Sequence, residues 1–395
     1  MKKTFQELAQ FMHQNNPDCS FAIEFWDGDS IRFGEAPEVT LQIKSKSAAR
    51  AIIGEGFLGF GEAYMADQVE VQGNLQELLR LGLSVRFDEI KLSLWKRFLL
   101  LLSYLRYRDT LKRSPKNIAH HYNLGNQFYA QYLDETMTYS CAYFENPEDS
   151  LHQAQLNKYE HVCRKLLLKP GESLLDIGCG WGGMLIYAAQ KYGIYGVGNT
   201  LSKPQVEYAR QKIKEAGLED RIKILHKDYR ELEGRFDKVV SIGMFEHVGK
   251  AFIPQFVKKV AALLKEKGLG LLHTIGKDYP SPGDPWTLKY IFPGGYIPTL
   301  SETVEALGKA GFSILDVENL RMHYAKTLDH WAENFESNID ALSEFVDRSL
   351  LRRWRLFLNA SAVGFKYGHS RLFQILFSHG LNNELPLTRR HLYST

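Results

Sequence analysis

A glycine-rich turn follows a short apolar run near the middle of the chain. Residues 173–177 form a candidate strand that contains Asp176, and directly after it come Gly178, Gly180 and Gly182. Glycines at this spacing permit a tight strand-to-helix turn and a close backbone approach to a ligand. The start of the following helix suits a carboxylate, and Asp176 suits an ammonium group. The turn therefore indicates a ligand with an amino-acid end, and S-adenosylmethionine fits that description.

A dinucleotide fold is the alternative interpretation of this turn. Such folds use the spacing G-x-G-x-x-G and place an acidic residue after the second strand, whereas this chain has neither feature. Thr200 and Gln205 could bind ribose hydroxyls in place of that acid. Asp228 follows the third candidate strand and offers a carboxylate to an adenine amino group, with Tyr229 beside it.

A parallel sheet is needed to position these residues. From about residue 117, short apolar runs alternate with helical stretches, which predicts an α/β fold with a doubly wound, mostly parallel, seven-stranded sheet. The candidate strands are residues 173–177, 195–199, 222–226, 236–242, 269–274, 312–317 and 372–377. Two stretches interrupt the pattern, and we predict that both flank the ligand site as lids: residues 277–299 and residues 329–365.

Residues 1–90 are predicted to form a small α+β domain. A helix near residues 5–13 precedes a hairpin of residues 21–26 and 30–33, and residues 39–43 form a third candidate strand. No catalytic constellation occurs in this region, so a lipid-binding or membrane-docking domain is the plain interpretation.

Residues 91–116 are predicted to form a basic, apolar linker helix. Residues 91–113 contain seven basic side chains, one acidic side chain and a strongly apolar body that includes Trp95. This composition suits the surface of an anionic membrane. A linker helix packed on its own protein, with a solvated charged face, is an equally good interpretation, and the two are compatible.

Length, net charge and cysteine content limit the classes of protein to which this chain can belong. A chain of 395 residues predicts two or three domains, and a net charge of +3 is too mild to indicate nucleic-acid binding. Its four cysteines lack CxxC pairs and metal-ligand spacing, so we expect a reducing cytoplasm and no metal. The N-terminus lacks the apolar core of a signal peptide, and no run of about 18 apolar residues predicts a membrane span.

Several motifs, taken in chain order, resemble the bacterial cyclopropane-fatty-acyl-phospholipid synthases and the related mycolic acid cyclopropane synthases. They are residues 118–129, 138–144, 176–183, 200–205, 244–249, 273–276, 290–295 and 318–320, with Tyr324. The resemblance implies a Rossmann-like class I methyltransferase domain over residues 117–395, preceded by the smaller domain of the bacterial phospholipid enzymes. The chain departs from many bacterial members at Ser361, where they have a cysteine, so that thiol cannot be essential if this chain is active.

The resemblance also implies a reaction. The methyl group of S-adenosylmethionine is delivered to a cis double bond in a phospholipid acyl chain, a carbocation forms, and a base removes a methyl proton so that a ring closes. The implied base is a bicarbonate ion. The implied ligands of this ion are the backbone of Cys141 and Ile275 and the side chains of Glu246, His273 and Tyr324. Glu246 would accept the bicarbonate hydroxyl proton or be protonated by burial.

The resemblance further implies a cofactor site and an apolar pocket. The expected cofactor-binding residues are Tyr139, Ser140, Asp176, Gly178, Gly180, Trp181, Gly182, Thr200, Gln205, Asp228 and Tyr229. Aromatic rings could stabilise the carbocation, and the candidates are Tyr122, Phe128, Tyr139, Phe144, Trp181, Phe245, Tyr290 and Phe292. About half of these are expected to be ordinary core residues, and Tyr139, Trp181 and Tyr290 are the favoured site residues. Cys141 is not expected to act as a nucleophile, because the alkene is no electrophile.

Two other functions stay open at this stage. The same fold could perform simple methylation or the addition of methyl and water, or it could be a lipid-binding protein with a vestigial cofactor fold. For the main interpretation we expect a cytoplasmic enzyme that is peripherally associated with the inner face of the membrane. Its partners would be anionic membrane surfaces and phospholipids with unsaturated acyl chains, and a homodimer would let two basic surfaces meet one membrane.

Overall fold

The structure is a computed structural model that describes residues 1–84 and 124–393. The linker helix predicted at residues 91–116 and the candidate aromatic Tyr122 lie outside the described residues. The described chain divides into two compact units. The first comprises residues 1–84, 283–293 and 331–368, and the second comprises residues 124–282, 294–330 and 369–393.

The first unit contains a four-stranded sheet. Its strands are β1 (Phe21–Phe25), β2 (Ser30–Phe33), β3 (Val39–Ile43) and β4 (Val69–Gly73), in the order β2-β1-β3-β4. The strands β1 and β2 form the predicted hairpin, and β1 runs parallel to β3. The helices are α1 (Lys2–Asn15), α2 (Lys46–Glu55), α3 (Phe57–Met65) and α4 (Leu75–Ser84). The short apolar strands predicted here are confirmed.

Segments distant in sequence complete the first unit. They contribute α10 (Pro285–Tyr290), α13 (Ile339–Ser343) and α14 (Arg348–Lys366). Trp286 is fully buried, and its indole ring lies 5.7 Å from the ring of Phe57 in an edge-on contact. Residues 283–293 of the first stretch interpreted as a lid, and residues 331–365 of the second, therefore belong to the same unit as the N-terminal sheet.

A buried arginine joins α14 to the N-terminal part of the first unit. Arg352 Nε donates to the carbonyl of Tyr64 at 2.5 Å, and Nη2 donates to the carbonyl of Val69 at 2.7 Å. Its Nη1 also lies 3.0 Å from the Glu70 carboxylate. Nη1 lies 3.2 Å from the Asp67 carboxylate as well. The guanidinium thus satisfies two backbone carbonyls and pairs with two carboxylates at once, which its planar fork of donors permits.

The second unit contains the seven-stranded sheet. Its strands are β5 (Ser173–Ile177), β6 (Tyr195–Thr200), β7 (Ile222–His226), β8 (Phe236–Ile242), β9 (Leu264–Gly276), β10 (Phe312–Asn319) and β11 (Arg371–His379). The strand order is β10-β11-β9-β8-β5-β6-β7, and β11 runs antiparallel to both of its neighbours. The other pairs are parallel. The predicted doubly wound α/β fold is confirmed.

Helices cover this sheet on both faces. They are α5 (Asn126–Ala130), α6 (Leu151–Lys165), α7 (Gly183–Tyr192), α8 (Lys203–Glu215), α9 (Ile253–Leu263), α11 (Leu300–Lys309) and α15 (Arg390–Tyr393), and α12 (Arg321–Ser337) begins in this unit. Leu174 belongs to one buried apolar cluster, and its neighbour Leu175 belongs to another. Burial of successive side chains explains why these strands are continuous apolar runs. Among the described residues, no helix is long and apolar enough to cross a bilayer.

Candidate active site

A pocket in the second unit lies at the carboxyl ends of the parallel strands. The strands β6 and β8 flank β5, and the direction of the strand order reverses there, which is where doubly wound sheets bind ligands. The expected cofactor-binding residues that line this pocket are Tyr139, Ser140, Asp176, Gly178, Gly180, Trp181, Thr200, Gln205, Asp228 and Tyr229. The remaining one, Gly182, is the N-cap of α7.

The glycine turn has the backbone that its sequence requires. Gly178, Gly180 and Gly182 have φ angles of 85°, 53° and 86°, a region that residues with a Cβ rarely adopt. The N–H groups of Gly178 and Cys179 both donate to the carbonyl of Asn199, at 3.1 and 2.9 Å. The turn thus uses part of its own donor set to attach to β6.

Asp176 is a buried carboxylate in this pocket. Its side chain is 2% exposed, and Oδ1 has no hydrogen-bond partner among the described residues. Burial raises the pKa of Asp176 to about 7, and the nearby charge of Lys158 opposes that rise. A buried acceptor without a partner fits a ligand that supplies a donor, such as an ammonium group.

Two polar pairs also line the pocket. Thr200 Oγ1 donates to Gln205 Oε1 at 2.6 Å, and this pair could still bind hydroxyl groups through its other polar atoms. Arg230 donates to both oxygens of Asp228, at 2.7 and 2.5 Å. Burial alone would raise the pKa of Asp228, but the hydrogen bonds from Arg230 lower it. Arg230 also lines the pocket, although no motif of the sequence pointed to it.

The candidate aromatic residues divide between site and core. Trp181 lines the pocket, and its indole N–H donates to Asn126 Oδ1 at 2.8 Å. Tyr139 also lines the pocket, and its ring lies 5.4 Å from that of Tyr129. Phe245 is a core residue, packed 5.1 Å from Phe256.

The other candidate aromatics have ordinary packing partners in the structure. Tyr290 is in the first unit, where its hydroxyl donates to Glu62 at 2.9 Å. Phe292 packs against Phe357 in the same unit. Phe144 stacks on His330, and Phe128 is fully buried. Tyr290 is therefore a residue of the first unit, whereas Tyr139 and Trp181 line the pocket of the second.

Glu246 and Ile275 are joined directly. The carboxylate of Glu246 is buried, and its Oε1 accepts the backbone N–H of Ile275 at 2.6 Å. Its Oε2 has no hydrogen-bond partner among the described residues. Burial raises the pKa of Glu246 to about 7, against the lowering effect of the Ile275 amide. The side chain therefore keeps one buried oxygen for a ligand and can exist in either protonation state near neutral pH.

His273 lies on β9 with one ring nitrogen engaged. Its register partner on β11 is Gln374, and the Gln374 amide nitrogen lies 3.2 Å from His273 Nδ1. An amide that donates to Nδ1 leaves the ring proton on Nε2. Burial lowers the pKa of His273 well below its ordinary value, so the ring is neutral. His273 Nε2 has no partner among the described residues and can donate to a ligand.

Cys141 and Tyr324 lie on two segments that contact each other. The N–H of Ala142 donates to Thr327 Oγ1 at 3.0 Å, and the N–H of Phe144 donates to His323 Nδ1 at 3.1 Å. Both acceptors are on α12, the helix that contains Tyr324. Cys141 is fully buried, and burial raises the pKa of its thiol, which opposes a role as nucleophile.

Besides Arg230, two more residues that shape the site were missed in the sequence. Lys158 lines the pocket from α6 although its side chain is 1% exposed, and Gln374 fixes the ring of His273. A single lysine on a polar helix is typical of a solvated face, and a glutamine inside an apolar strand carries no motif. Only the fold brings either of them to the site.

Comparison with known proteins identifies the family of this arrangement. The family model described as "Mycolic acid cyclopropane synthetase" matches residues 109–375, which is more than half of the chain. A second model, described as a domain of unknown function (DUF7884), matches residues 8–85. The two matches together include most of the described chain.

Similar proteins and structures agree with this match. A "Probable fatty acid methyltransferase" of Pseudomonas putida is 37% identical and aligns over 94% of this chain and 95% of its own length. The "Cyclopropane-fatty-acyl-phospholipid synthase" of Escherichia coli strain K12 is 35% identical, over 90% and 92%. A solved mycolic acid cyclopropane synthase CmaA1, in complex with SAH and CTAB, has a TM-score of 0.64 and 32% identity, over 67% of this chain and 98% of that chain.

Proposed function

The chain belongs to the S-adenosylmethionine-dependent mycolic acid cyclopropane synthetase family, and we propose that it is a cyclopropane fatty acid synthase that acts on unsaturated phospholipid acyl chains. The observation that carries the proposal is the pair of unpartnered polar atoms, Glu246 Oε2 and His273 Nε2, in a unit that also contains the glycine-turn pocket. A buried acceptor and a buried donor together match a small anion that has a hydroxyl group.

The pocket residues fit the cofactor by charge and by shape. Asp176 would hold the ammonium group, because its unpartnered oxygen is buried in the pocket. Thr200 and Gln205 would bind the ribose hydroxyls, and Asp228 would accept from the adenine amino group while Arg230 keeps the carboxylate ionised. When bound, S-adenosylmethionine supplies an electrophilic methyl group.

The anion site would hold bicarbonate, which supplies the base that ring closure requires. In its ionised form Glu246 would accept a hydroxyl proton through Oε2, while the Ile275 amide fixes the other oxygen. His273 would donate from Nε2, because Gln374 keeps its proton on that nitrogen. The backbone of Cys141 and the phenol of Tyr324 would be further donors, as the family resemblance implies.

The aromatic lining favours a cationic reaction over the alternatives. Trp181 and Tyr139 line the pocket, and their rings could stabilise a carbocation without being alkylated as a carboxylate would be. A buried base site argues for loss of a methyl proton. Simple methylation, or the addition of methyl and water, would not need that site.

A membrane substrate is part of the proposal. The Escherichia coli relative is named for a fatty-acyl-phospholipid reaction. The basic, apolar segment 91–113 suits the anionic surface from which such a lipid would be taken. We propose that the protein binds the cytoplasmic face of the membrane peripherally while it acts.

The deciding experiment is a product analysis with unsaturated phospholipid vesicles and a cofactor that has a fully deuterated methyl group. Ring closure adds one carbon, removes the double bond and loses one methyl deuteron, whereas simple methylation keeps every deuteron. Addition of methyl and water would give a hydroxylated chain. Retention of all deuterons, a hydroxylated product, or unchanged lipids with a cofactor-saturated protein would each refute the proposal.

The role of the anion site is tested by varying the bicarbonate concentration in carbonate-free buffer. Turnover should depend on added bicarbonate in the wild type, while the Kd for S-adenosylhomocysteine should not change. Tyr324→Phe should lower turnover far more than cofactor affinity. Full turnover in this variant and in bicarbonate-free buffer would refute the proposed base.

A further inference from the structure

Lys158 is a buried cation in the cofactor pocket that the proposed chemistry does not use. It lies on α6, lines the pocket together with Asp176 and the glycine turn, and is 1% exposed. Its Nζ donates to Ser140 Oγ at 3.1 Å and lies 4.4 Å from the centre of the Tyr159 ring. Both contacts hold the ammonium group at the pocket wall.

No carboxylate of the described residues forms an ion pair with Lys158. Asp134, Asp176 and Cys141 are near enough to affect its charge, yet the contacting oxygen is the neutral hydroxyl of Ser140. Burial lowers the pKa of Lys158 to about 8, so the charged form still predominates at neutral pH. A buried ammonium without a counter-ion is costly, and an anionic ligand group would offset that cost.

The backbone of the glycine turn offers fewer donors than its sequence suggests. The N–H groups of Gly178 and Cys179 donate to Asn199, and the N–H of Gly182 donates to the carbonyl of Cys179 at 2.9 Å. A charged donor from elsewhere would bind the α-carboxylate of an amino-acid ligand more strongly than the remaining backbone N–H groups alone. Lys158 supplies one with a full positive charge, on the same pocket wall as Ser140.

We propose that Lys158 binds the α-carboxylate of S-adenosylmethionine, with Ser140 positioning its ammonium group, and so selects a cofactor that carries this carboxylate. The inference rests on the proposed use of the pocket for S-adenosylmethionine. Asp176 and Lys158 then form a complementary pair, one for the ammonium and one for the carboxylate of the amino-acid end. Buried charges of opposite sign at one end of a pocket recognise a zwitterion and exclude ligands that lack either charge.

The test compares two ligands in binding measurements by calorimetry, without turnover. The ligands are S-adenosylhomocysteine and its decarboxylated analogue, which has hydrogen in place of the α-carboxylate. The wild type should prefer S-adenosylhomocysteine by at least about tenfold, since a hydrogen bond between charged groups contributes that much. In Lys158→Met the affinity for S-adenosylhomocysteine should fall by a similar factor, while the analogue should bind equally well or more tightly.

The matched control is Lys238→Met. Lys238 on β8 is also buried, its Nζ lies 3.7 Å from the Glu172 carboxylate, and it is outside the pocket lining. Its replacement should leave the preference between the two ligands unchanged. If Lys158→Met fails to fold, Ser140→Ala, which removes the hydrogen-bond partner of the ammonium, should reduce the same preference.

The outcomes separate this inference from the proposed function. One contrary result is that Lys158→Met lowers the affinity for both ligands equally, and another is that it leaves the affinity for S-adenosylhomocysteine unchanged. Either result would overturn the role of Lys158 and assign the carboxylate to the start of α7. Failure of the wild type to bind S-adenosylhomocysteine at all would instead refute the use of this pocket.

Discussion

At the residue scale, Glu246 occupies an environment in which its two protonation states are nearly balanced. One oxygen has a strong backbone donor in Ile275, and the other has no partner among the described residues. Burial of the whole group raises its pKa to about 7 from the ordinary value of 4.5. A group with a pKa near the working pH is suited to move protons, and this is a more specific property than its position in a motif.

Glu246→Gln is expected to lower turnover by at least about a hundredfold, the usual contribution of a group that transfers protons in the transition state. The Kd for S-adenosylhomocysteine, measured by calorimetry, should not change. In the wild type, the rate should rise as the pH increases through about 7, because the ionised form of Glu246 accepts the proton. A variant that keeps full turnover would show that this carboxyl group is only structural.

Glu246→Gln should also change how the stability of the fold depends on pH, and the raised pKa gives the direction of that change. A folded-state pKa raised from 4.5 to about 7 stabilises the fold fully below pH 4.5, and this contribution is lost as the pH rises through 7. The melting temperature of the wild type should therefore fall relative to that of Glu246→Gln between these pH values. A constant difference in melting temperature would contradict the raised pKa.

Gln374 should act through His273 rather than on the substrate. Gln374→Leu removes the donor to Nδ1 and allows the ring proton to move to that nitrogen, so kcat should fall about tenfold or more while cofactor affinity is kept. The matched control is Gln211→Leu, because Gln211 bonds only to Glu215 in a surface contact among the described residues. Equal kcat values in the two variants would refute the positioning role.

Part of the site was predictable at the residue scale because several of its members lie in motifs. Asp176 and the glycines were identified from the chemistry of a turn, and Glu246 from the family resemblance. Lys158 and Gln374 could not be found in this way. Each is a common residue in an ordinary helix or strand, and its role depends on burial and on a partner that is distant in sequence.

At the element scale, the strands were easier to predict than the membership of the units. All seven candidate strands of the second unit are present. The central parallel strands are the clearest of them, because buried parallel strands are continuous apolar runs in any local window. Residues 283–293 and 331–368 instead join the first unit through contacts such as that of Trp286 with Phe57. The pattern of apolar residues within a short stretch predicts a helix, but it does not predict which distant part of the chain that helix packs against.

Among the contacts between elements, those of Arg352 should cost the most unfolding free energy when they are removed. Arg352→Met removes a buried donor from the Tyr64 and Val69 carbonyls and from the Glu70 and Asp67 carboxylates, so we expect a loss of about 3 kcal/mol in unfolding free energy. Arg348→Ala is the control, because its pair with Asp67 is exposed and should contribute less than about 1 kcal/mol. Chemical denaturation measures both values, and similar losses would contradict this assignment.

At the scale of the whole molecule, the N-terminal residues cannot be treated as an independent attachment. They share a compact unit with residues 283–293 and 331–368, and fully buried side chains such as Trp286 would lose their cover if residues 1–84 were removed. Deletion of the N-terminal region would therefore change folding as well as any contact with lipid. A test of membrane docking therefore needs substitutions that remove positive charge but leave the buried contacts intact.

Such a test can use the basic segment 91–113, which lies outside the described residues. Replacing Lys96, Arg97, Lys112 and Arg113 with glutamine should lower turnover on anionic vesicles by about tenfold or more, since each basic residue near such a surface contributes about 1 kcal/mol. Turnover on detergent-dispersed lipid should not change. The control replaces the exposed Lys212 and Lys309 on α8 and α11, and equal effects of both sets would refute a docking role for the segment.

The position of β11 affects how the chain matures on the ribosome. This strand is the last of the sheet to be synthesised, yet it lies between β9 and β10 and brings Gln374 to His273. Until residues 371–379 have left the exit tunnel, β9 has one unpaired edge and β10 lacks its partner strand, and unpaired edges are templates for aggregation. The nascent protein therefore should form the contact between His273 and Gln374 only after synthesis is nearly complete, and premature termination products should be targets for chaperones and proteases.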